Sequence, residues 1–463
     1  MSFSVKSSAN AVWIARFVFM TRRSLFRFAG SIVRPPFREQ DRIPHLFYQM
    51  CSNPHRVFSL GLPPRFRAGV SIATPRRSPY YNTQTLHKAS RGEKTVKVLI
   101  LSCDTGEGHN SAAAAVAGAL TQRGIESHVF DPLVLAGKYA ERFVSGAYTT
   151  IMKKAPSAFN ALYRAGDIYS STGITSPVYH ANARYAANLR AFIETNGYDR
   201  VVCTHLYPME TLTAIRKSGD FTVPCYGVLT DYTCIPFLAE TDLDGYFIAH
   251  EDLRAELVEK GIPSDRIIVT GIPVDEKFAH HMEKAAARNY LAIPQNQDVF
   301  LIMSGGIGVG NAGAICDEIL RRHSGAFTVY ILVGRNSDLK QTLEEKYAGN
   351  EHVRIVTFTK KVNVYMNAAD VMISKPGGLT STEAAVAQVP LVQLLVYTAC
   401  EAPNIAFFSS HGLSERAENA ADAAEKAVAL VRDKARAEAM REAQRNTIAP
   451  DAADKIAERI VLS

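Results

Sequence analysis

Short runs of apolar residues recur along the chain from Lys97 onward, and most of them end in a glycine-rich or polar turn. The first run, Val98-Leu99-Ile100-Leu101, precedes a Gly106-x-Gly108 turn, an alanine-rich helix over 111–120 and a second strand over 127–130. Uniformly apolar strands of this length are typical of parallel sheets that are buried on both faces. The alternation of strand, turn and helix predicts an α/β fold built from doubly wound, Rossmann-like domains.

This alternation occurs twice, with a polar segment between the two sets. The first set ends at Gly271-Ile272-Pro273, and the second begins at Val299. We therefore expect two Rossmann-like domains, residues 95–275 and 276–445, that face each other across a cleft, and a helix within 446–463 that closes the chain. One charged, alanine-rich helix is expected over 419–443. The loops at the carboxyl ends of the strands are where such sheets bind ligands.

Residues 1–94 differ in composition from the rest of the chain. They hold 16 of the 52 Lys and Arg residues but only 3 of the 45 acids, and eight prolines lie between positions 35 and 79. This pattern predicts a poorly ordered basic extension, with an organelle transit peptide, an amphipathic lipid anchor or an upstream start codon as alternatives. Because the basic charge lies outside the predicted domains, no nucleic-acid partner is expected.

The seven cysteines are scattered and form no C-x-x-C pair, which argues against a cysteine zinc site or a disulfide framework and favours a reducing compartment. No apolar run approaches the roughly 20 residues needed to span a bilayer. Any membrane contact is therefore expected to be peripheral, and we expect a cytoplasmic protein on the inner face of a membrane.

One stretch in the second domain carries a specific signal. An apolar strand over 371–373 runs into Ser374-Lys375-Pro376-Gly377-Gly378, and a helix is predicted from near Leu379 to before Pro390. The N–H groups and positive dipole end of such a helix bind anions, and a diphosphate fits there. Glu383 lies in the first two helical turns, where a carboxylate could hold a ribose. An ordinary tight turn between strand and helix is the alternative at this point.

The run Ser-Lys-Pro-Gly-Gly-Leu-Thr with the following Glu383 resembles the donor-sugar motif of the monogalactosyldiacylglycerol synthase and processive diacylglycerol glucosyltransferase family. It is more distantly similar to the lipid-linked N-acetylglucosaminyltransferase of peptidoglycan synthesis. The resemblance covers roughly residues 96–415. It implies the GT-B architecture and an inverting transfer of glucose or galactose from a UDP-sugar to the 3-hydroxyl of diacylglycerol, with no cofactor and no metal.

His109 is the first catalytic candidate. It follows Gly106-x-Gly108 at the start of a helix, where positive partial charge favours the neutral imidazole that a general base needs. The segment is similar to the family's Gly-x-Gly-His motif. Asp231 also follows a predicted strand and could orient His109 or act as the base itself, while a helix cap is its alternative.

The resemblance implies a donor site in the second domain. Backbone around Phe358 would contact the uracil ring and Glu383 the ribose, and Lys375 with the helix N-terminus would stabilise the leaving diphosphate. The family's Gly-Gln-Glu-x-x-Asn element reads Ala399-Cys400-Glu401-Ala402-Pro403-Asn404 here, so the donor sugar stays open. The predicted donor-binding residues are Gly305, Gly306, Arg335, Phe358, Thr359, Lys375, Gly377, Gly378, Thr380, Glu383, Glu401 and Asn404.

Residues 131–196 are predicted to be helical and combine many aromatic residues with lysines. Such a surface could lie on an anionic membrane and admit a diacylglycerol or glycolipid acceptor, with Lys153, Lys154 and His205 as contacts. Helix packing with solvated lysines is the alternative. Ile235 stands where many relatives carry His, which leaves the acceptor contacts open.

Three other functions fit parts of the pattern. They are an N-acetylglucosaminyltransferase acting on an undecaprenyl-linked precursor, a UDP-sugar 2-epimerase with a soluble ligand, and a sensor that binds UDP-sugar without turnover. Asp242-x-Asp244 matches the metal motif of a different glycosyltransferase fold. It precedes a predicted strand outside any glycine-rich loop, so we interpret it as a pair of loop acids.

Overall fold

A computed structural model describes residues 96–103, 107–137, 163, 166, 169–170, 174–303, 311–395 and 401–462. All of them belong to one compact unit, Lys88–Ser463. The predicted extension over 1–94, the glycines Gly305 and Gly306, and the membrane candidates Lys153 and Lys154 lie outside the described residues.

The described residues form two six-stranded sheets in which every pairing of neighbouring strands is parallel. The first sheet contains β1 Lys97–Leu101, β2 Glu126–Phe130, β3 Arg200–Cys203, β4 Cys225–Val228, β5 Gly245–Ile248 and β6 Ile267–Val269. The second contains β7 Asp298–Met303, β8 Phe327–Gly334, β9 Val353–Thr357, β10 Val371–Ser374, β11 Leu391–Leu394 and β12 Glu415–Ala417. This arrangement confirms the predicted fold class.

Helices connect the strands. In the first half they are α1 Glu107–Gln122, α2 Pro177–Asn182, α3 Ala186–Thr195, α4 Leu206–Lys217 and α5 Arg254–Glu259. In the second half they are α6 Lys284–Tyr290, α7 Ala312–Arg322, α8 Ser337–Lys346, α9 Val362–Ala368, α10 Gly378–Val386, α11 Ala402–Ser410, α12 Ala420–Arg432, α13 Lys434–Thr447 and α14 Ala452–Leu462.

Strand order fixes where each sheet can bind a ligand. The first sheet runs β2-β1-β3-β4-β5-β6, and the second runs β12-β11-β10-β7-β8-β9. The order reverses between β1 and β3 in the first sheet and between β7 and β10 in the second. At such a switch point neighbouring loops diverge to opposite faces and leave a crevice beyond the strand ends. The loops after β1, β3 and β10 are therefore the natural positions for chemistry.

The apolar strands divide their side chains between two core layers. Leu99 and Leu101 of β1 belong to the large cluster, whereas Val98 and Ile100 belong to a smaller one that includes Ile456 of α14. This alternation is the two-residue period of a strand that is covered on both faces. The last helix thus packs against the first sheet, and Arg123, directly after α1, donates to Asp454 of α14 at 2.5 Å.

Two local predictions change in detail. The first helix begins at Glu107 rather than near Ser111, so His109 lies in its first turn. The helix predicted over 419–443 is two helices that meet at Asp433, whose side chain accepts a hydrogen bond from the N–H of Arg436 at 3.0 Å and caps α13. None of the helices in the described part of the chain has the length and hydropathy needed to cross a bilayer.

Candidate active site

His109 lies at the switch point of the first sheet. It belongs to the first turn of α1, after β1, and contacts the loop that follows β3. Its Nδ1 lies 2.7 Å from the carbonyl oxygen of Thr204, and the hydroxyl of Thr204 donates back to the carbonyl of His109 at 3.1 Å. The adjacent strands β1 and β3 therefore bring the two loops into direct contact.

The Thr204 contact determines which nitrogen of His109 carries the proton. A carbonyl oxygen only accepts hydrogen bonds, so Nδ1 must be the protonated nitrogen and Nε2 of the neutral ring carries a lone pair. Burial lowers the pKa of His109 below its usual 6.5, while the nearby Asp231 and the Thr204 carbonyl act in the opposite direction. The ring is thus held as a neutral base at neutral pH.

His205 packs edge-on against His109, with ring centroids 4.6 Å apart. Its Nδ1 accepts from the N–H of Tyr207 at 3.2 Å and caps α4. Burial lowers its pKa well below the usual value, and His109 lowers it further. His205, predicted as an acceptor contact, therefore lies beside the candidate base and also has a structural role as a helix cap.

Asp231 follows β4 and is bound by Asn404 of the second domain. The carboxamide nitrogen of Asn404 donates to Asp231 Oδ1 at 2.8 Å and to the carbonyl of Pro376 at 3.1 Å, and its oxygen accepts from the N–H of Tyr232 at 2.7 Å. Asn404 is fully buried. Burial raises the pKa of Asp231, while the Asn404 bond and the His109 charge act to lower it.

The start of α10 approaches the same loop very closely. A Cβ placed on Gly378 would lie 2.1 Å from the carbonyl oxygen of Thr230 and 3.1 Å from the Cα of Asp231. Only glycine fits this position, because the obstacle is backbone rather than a movable side chain. Gly377 caps α10 without a side-chain hydrogen bond. The helix N-terminus therefore lies within contact distance of the loop after β4 in the first domain.

Lys375 and Glu401 form an ion pair at this helix end. Lys375 Nζ lies 2.5 Å from Glu401 Oε1, and both side chains are largely buried. The charges of both residues also influence the pKa of Asp231. The cation predicted for the diphosphate and a carboxylate predicted for the sugar thus lie together next to Gly377.

Arg335 links the second domain to the first on the other side of the predicted donor site. It forms an ion pair with Glu107 at the start of α1, and its guanidinium lies 4.1 Å from the ring centroid of Phe358. Phe358 keeps 45% of its surface exposed, as suits a residue of a ligand loop. Thr359 caps the next turn by accepting from the N–H of Lys361 at 3.1 Å.

Glu383 and Thr380 lie on α10, where the sequence predicts them. Burial raises the pKa of Glu383 to about 8, partly offset by the charge of Lys277. A carboxyl group that is neutral at pH 7 can both donate and accept hydrogen bonds, as ribose hydroxyls do. Thr380 is half-buried in the first turn of the same helix.

The structure thus brings most described candidates to one region between the sheets, although the ligand contacts themselves stay predictions. Sequence reasoning gave no role to Thr204, Thr230, Tyr232 or Thr382. Thr230 Oγ1 lies 3.2 Å from His109 Nδ1, and the hydroxyl groups of Tyr232 and Thr382 lie 2.9 Å apart across the domains. Their positions in the loops after β3 and β4, or one turn into α10, are the signals that could have identified them.

Two parallel-sheet domains whose loops meet at the switch points form the architecture of the GT-B glycosyltransferases. Comparison with known families agrees with this assignment. Residues 109–274 match the monogalactosyldiacylglycerol (MGDG) synthase family, and residues 311–456 match the glycosyltransferase family 28 C-terminal domain. The two matches identify a monogalactosyldiacylglycerol synthase domain followed by a glycosyltransferase family 28 C-terminal domain.

Curated relatives cover the same region. The processive diacylglycerol beta-glucosyltransferase of Bacillus cytotoxicus is 28% identical over 377 residues, which are 80% of this chain and 94% of the relative. The enzyme of the same name from Staphylococcus saprophyticus is 31% identical over 225 residues, 48% of this chain and 57% of the relative.

Solved structures share the fold at low identity. MurG of Acinetobacter baumannii has a TM-score of 0.52 and 14% identity, and the alignment covers 80% of this chain and all of that one. The UDP-GlcNAc 2-epimerase of Neisseria meningitidis has a TM-score of 0.51 and 15% identity, with the same coverage. At such identities the likeness extends to the fold alone.

Proposed function

We propose that this protein transfers a hexose, glucose in the first instance, from a UDP-sugar to the 3-hydroxyl of diacylglycerol. The name of the Bacillus relatives specifies both the acceptor and a β-glucosyl product. UDP-glucose carries its sugar in the α configuration, so a β product requires attack on the face opposite the diphosphate. The proposed reaction is therefore inverting, and further additions to the glycolipid product would make it processive.

The observation that carries the proposal is the contact between His109 Nδ1 and the Thr204 carbonyl. It leaves Nε2 as the lone-pair nitrogen of a ring whose pKa is lowered by burial. In our scheme Nε2 takes the proton from the acceptor hydroxyl as that oxygen attacks the anomeric carbon. Asp231 then stabilises the imidazolium that forms, since its charge already favours the protonated ring.

The donor would lie between α10 and the loops that carry Arg335 and Phe358. Diphosphate departure requires stabilisation of negative charge, and Lys375 and the N-terminus of α10 supply positive charge at one place. We propose that these groups make a metal ion unnecessary for the chemical step. Lys375 would exchange part of its contact with Glu401 for the diphosphate.

The acceptor must be extracted from a bilayer, so we further propose peripheral binding to an anionic membrane surface. The basic and aromatic segment that includes Lys153 and Lys154 carries this expectation from sequence. It predicts that turnover depends on the anionic lipid content of the vesicles and falls as salt screens the attraction.

The test uses the full-length protein with radiolabelled UDP-glucose, UDP-galactose and UDP-N-acetylglucosamine, each offered to vesicles that contain diacylglycerol and anionic phospholipid. We expect a labelled lipid from UDP-glucose, and a loss of about 10²–10⁴-fold in His109→Ala. His109→Gln retains a polar side chain without a base and should be equally impaired. A parallel assay replaces diacylglycerol with a polyprenyl diphosphate acceptor in the same vesicles. Transfer only from UDP-N-acetylglucosamine to that acceptor would overturn the proposal, as would UDP binding without turnover of any donor.

A further inference from the structure

A second cluster of polar side chains joins the two domains away from the strand-end loops described above. His250 follows β5 in the first domain, Asp252 lies two residues later, and His411 ends α11 in the second domain. One potential ligand atom from each of the three residues lies within 4.8 Å of the others. The proposed transfer reaction uses none of them.

Hydrogen bonds around the two rings indicate where their lone pairs point. His411 Nδ1 lies 2.9 Å from the carbonyl of Phe407, so Nδ1 carries a proton and Nε2 of the neutral ring is unprotonated. That Nε2 lies 2.9 Å from Asp252 Oδ2. His250 Nδ1 accepts from the N–H of Asp252 at 3.3 Å and lies 3.3 Å from Asp252 Oδ1.

The unprotonated Nε2 of a neutral His411 ring therefore faces Asp252 Oδ2, and His250 Nδ1 lies 3.3 Å from Oδ1 while it accepts the long bond from the Asp252 N–H. Positive charge between these atoms would stabilise the arrangement, and a bound ion would replace that N–H as the partner of His250 Nδ1. Protonation of the rings is one source, and a divalent cation is the other. The C-terminal end of α11 adds partial negative charge beside His411, which favours a cation further. Asp252 has 53% of its side chain exposed, so a hydrated ion can reach the cluster from solvent.

We propose that His250, Asp252 and His411 bind a transition-metal cation of the Zn²⁺ type. Two imidazole nitrogens and one carboxylate form a donor set that suits such ions, and zinc commonly completes a four-coordinate shell with water. Separations of 2.9–3.3 Å between Asp252 oxygens and the ring nitrogens fit ligands that lie about 2 Å from one ion. The Phe407 carbonyl fixes the His411 ring as a supporting partner does in known sites.

The position of the cluster suits a structural metal site rather than a catalytic one. Phe407 packs on His411 at 4.2 Å between ring centroids and stacks on Tyr232 at 4.4 Å. Tyr232 donates its N–H to Asn404, which lies on the same helix as Phe407. A bound ion would therefore fasten α11 to the first domain and stabilise the arrangement in which Asn404 contacts Asp231.

The experiment is calorimetric titration of the full-length, chelator-treated protein with ZnCl₂, together with Co²⁺ absorption spectra and melting curves. We expect saturable binding of one ion at this site, a higher melting temperature and Co²⁺ ligand-field bands. His411→Ala and Asp252→Ala should each weaken the affinity of the site by about tenfold or more. His280→Ala, at an exposed histidine paired with Glu276, should leave it unchanged.

Far-UV circular dichroism verifies that each variant is folded, and the half-exposed Asp252 provides a substitution that should not disturb packing. Absence of saturable Zn²⁺ binding would overturn the proposal. So would binding that both His411→Ala and Asp252→Ala leave unaltered. A third outcome, in which these substitutions change only the pH dependence of melting while Zn²⁺ has no effect, would assign the cluster to protonated histidines and likewise overturn it.

Discussion

Asn404 Nδ2 donates to Asp231 Oδ1 at 2.8 Å, and this bond crosses from the second domain to the loop beside the candidate base. The remaining hydrogen-bonding groups of the carboxamide reach Tyr232 and Pro376, so one buried side chain holds three backbone or carboxylate groups in register. The charge beside His109 is therefore positioned only when the two domains are in contact.

Asn404→Ala should lower both stability and activity. The substitution leaves the Tyr232 N–H, the Pro376 carbonyl and Asp231 without a buried partner, and each such loss costs about 1–3 kcal/mol. We expect a decrease of several degrees in the melting temperature and a fall in kcat. Calorimetric melting and steady-state kinetics measure both effects, with Asn289→Ala, on the exposed side of α6, as a control.

Asn404→Asp distinguishes a role of Asn404 in controlling the charge beside His109 from a role in packing alone. It retains the size of the side chain but replaces the donor to Asp231 with a second negative charge, which should raise the pKa of His109. The acid limb of the kcat/KM profile is then expected to move to higher pH. An unshifted limb would mean that Asn404 acts only as a structural contact.

Gly378 and Gly377 offer a matched pair of substitutions. A Cβ at 378 would overlap the carbonyl of Thr230, whereas a Cβ at 377 has its nearest neighbour, Glu401 Oε1, at 3.6 Å. Gly378→Ala should therefore destabilise the protein by about 1–3 kcal/mol or more and separate the domains. Gly377→Ala should leave the melting temperature within about a degree of wild type. Equal melting temperatures for the two variants would contradict the close approach described here.

Much of this fold follows from local sequence, because the apolar strands and their glycine turns each signal a parallel sheet unit. The order β1-β3 was not readable from sequence, however, and it is this order that places Thr204 against His109. The turn at 374–378, by contrast, was recognisable from local sequence. Its proline fixes one backbone angle, and its glycines allow conformations that other residues rarely adopt.

Long-range contacts explain what sequence reasoning missed. Nothing near Tyr232 indicates that its hydroxyl meets Thr382, 150 residues away, or that its ring stacks on Phe407. The break at Asp433 was missed because neither glycine nor proline marks it, and only the capping bond to Arg436 identifies a new helix start. The pairing of Arg335 with Glu107 likewise depends on how the domains meet.

Arg335→Ala should weaken the binding of the UDP-sugar donor more than it lowers the stability of the protein. Both partners of the Arg335–Glu107 ion pair are substantially exposed, so its loss should cost less than about 1 kcal/mol. If Arg335 also contacts the donor, the KM for the UDP-sugar rises several-fold while the melting temperature changes little. Glu107→Gln, which removes the same ion pair but retains Arg335, is the control. A similar rise in both variants would assign the effect to the ion pair instead.

The pH dependence of kcat/KM should reflect the pKa of His109. Because burial lowers its pKa, the acid limb of kcat/KM is expected below pH 6.5. Asp231→Asn removes the charge that raises the His109 pKa, so the limb should move to still lower pH as the rate falls. The folded state binds fewer protons than the unfolded state between the lowered pKa and 6.5, so this group makes stability increase with pH across that window. A limb that moves to higher pH in Asp231→Asn would contradict the assignment.

Glu210 should make stability fall as pH rises. The carboxyl group is fully buried on α4, accepts from Asn182 at 2.5 Å through Oε2, and has no partner for Oε1. Burial raises its pKa from 4.5 to about 8, so the folded protein retains a proton that the unfolded chain releases. Stability from this group is thus present below pH 4.5 and is lost as pH rises towards about 8.

Glu210→Gln keeps the acceptor for Asn182 without the charge, and it should be more stable than wild type at pH 9, by on the order of a few kcal/mol, yet similar at pH 5. Chemical denaturation at the two pH values measures the difference. Glu345→Gln, at an exposed position on α8, is the control for the loss of one surface carboxylate. An equal effect of Glu210→Gln at both pH values would mean that Glu210 is already ionised in the folded protein.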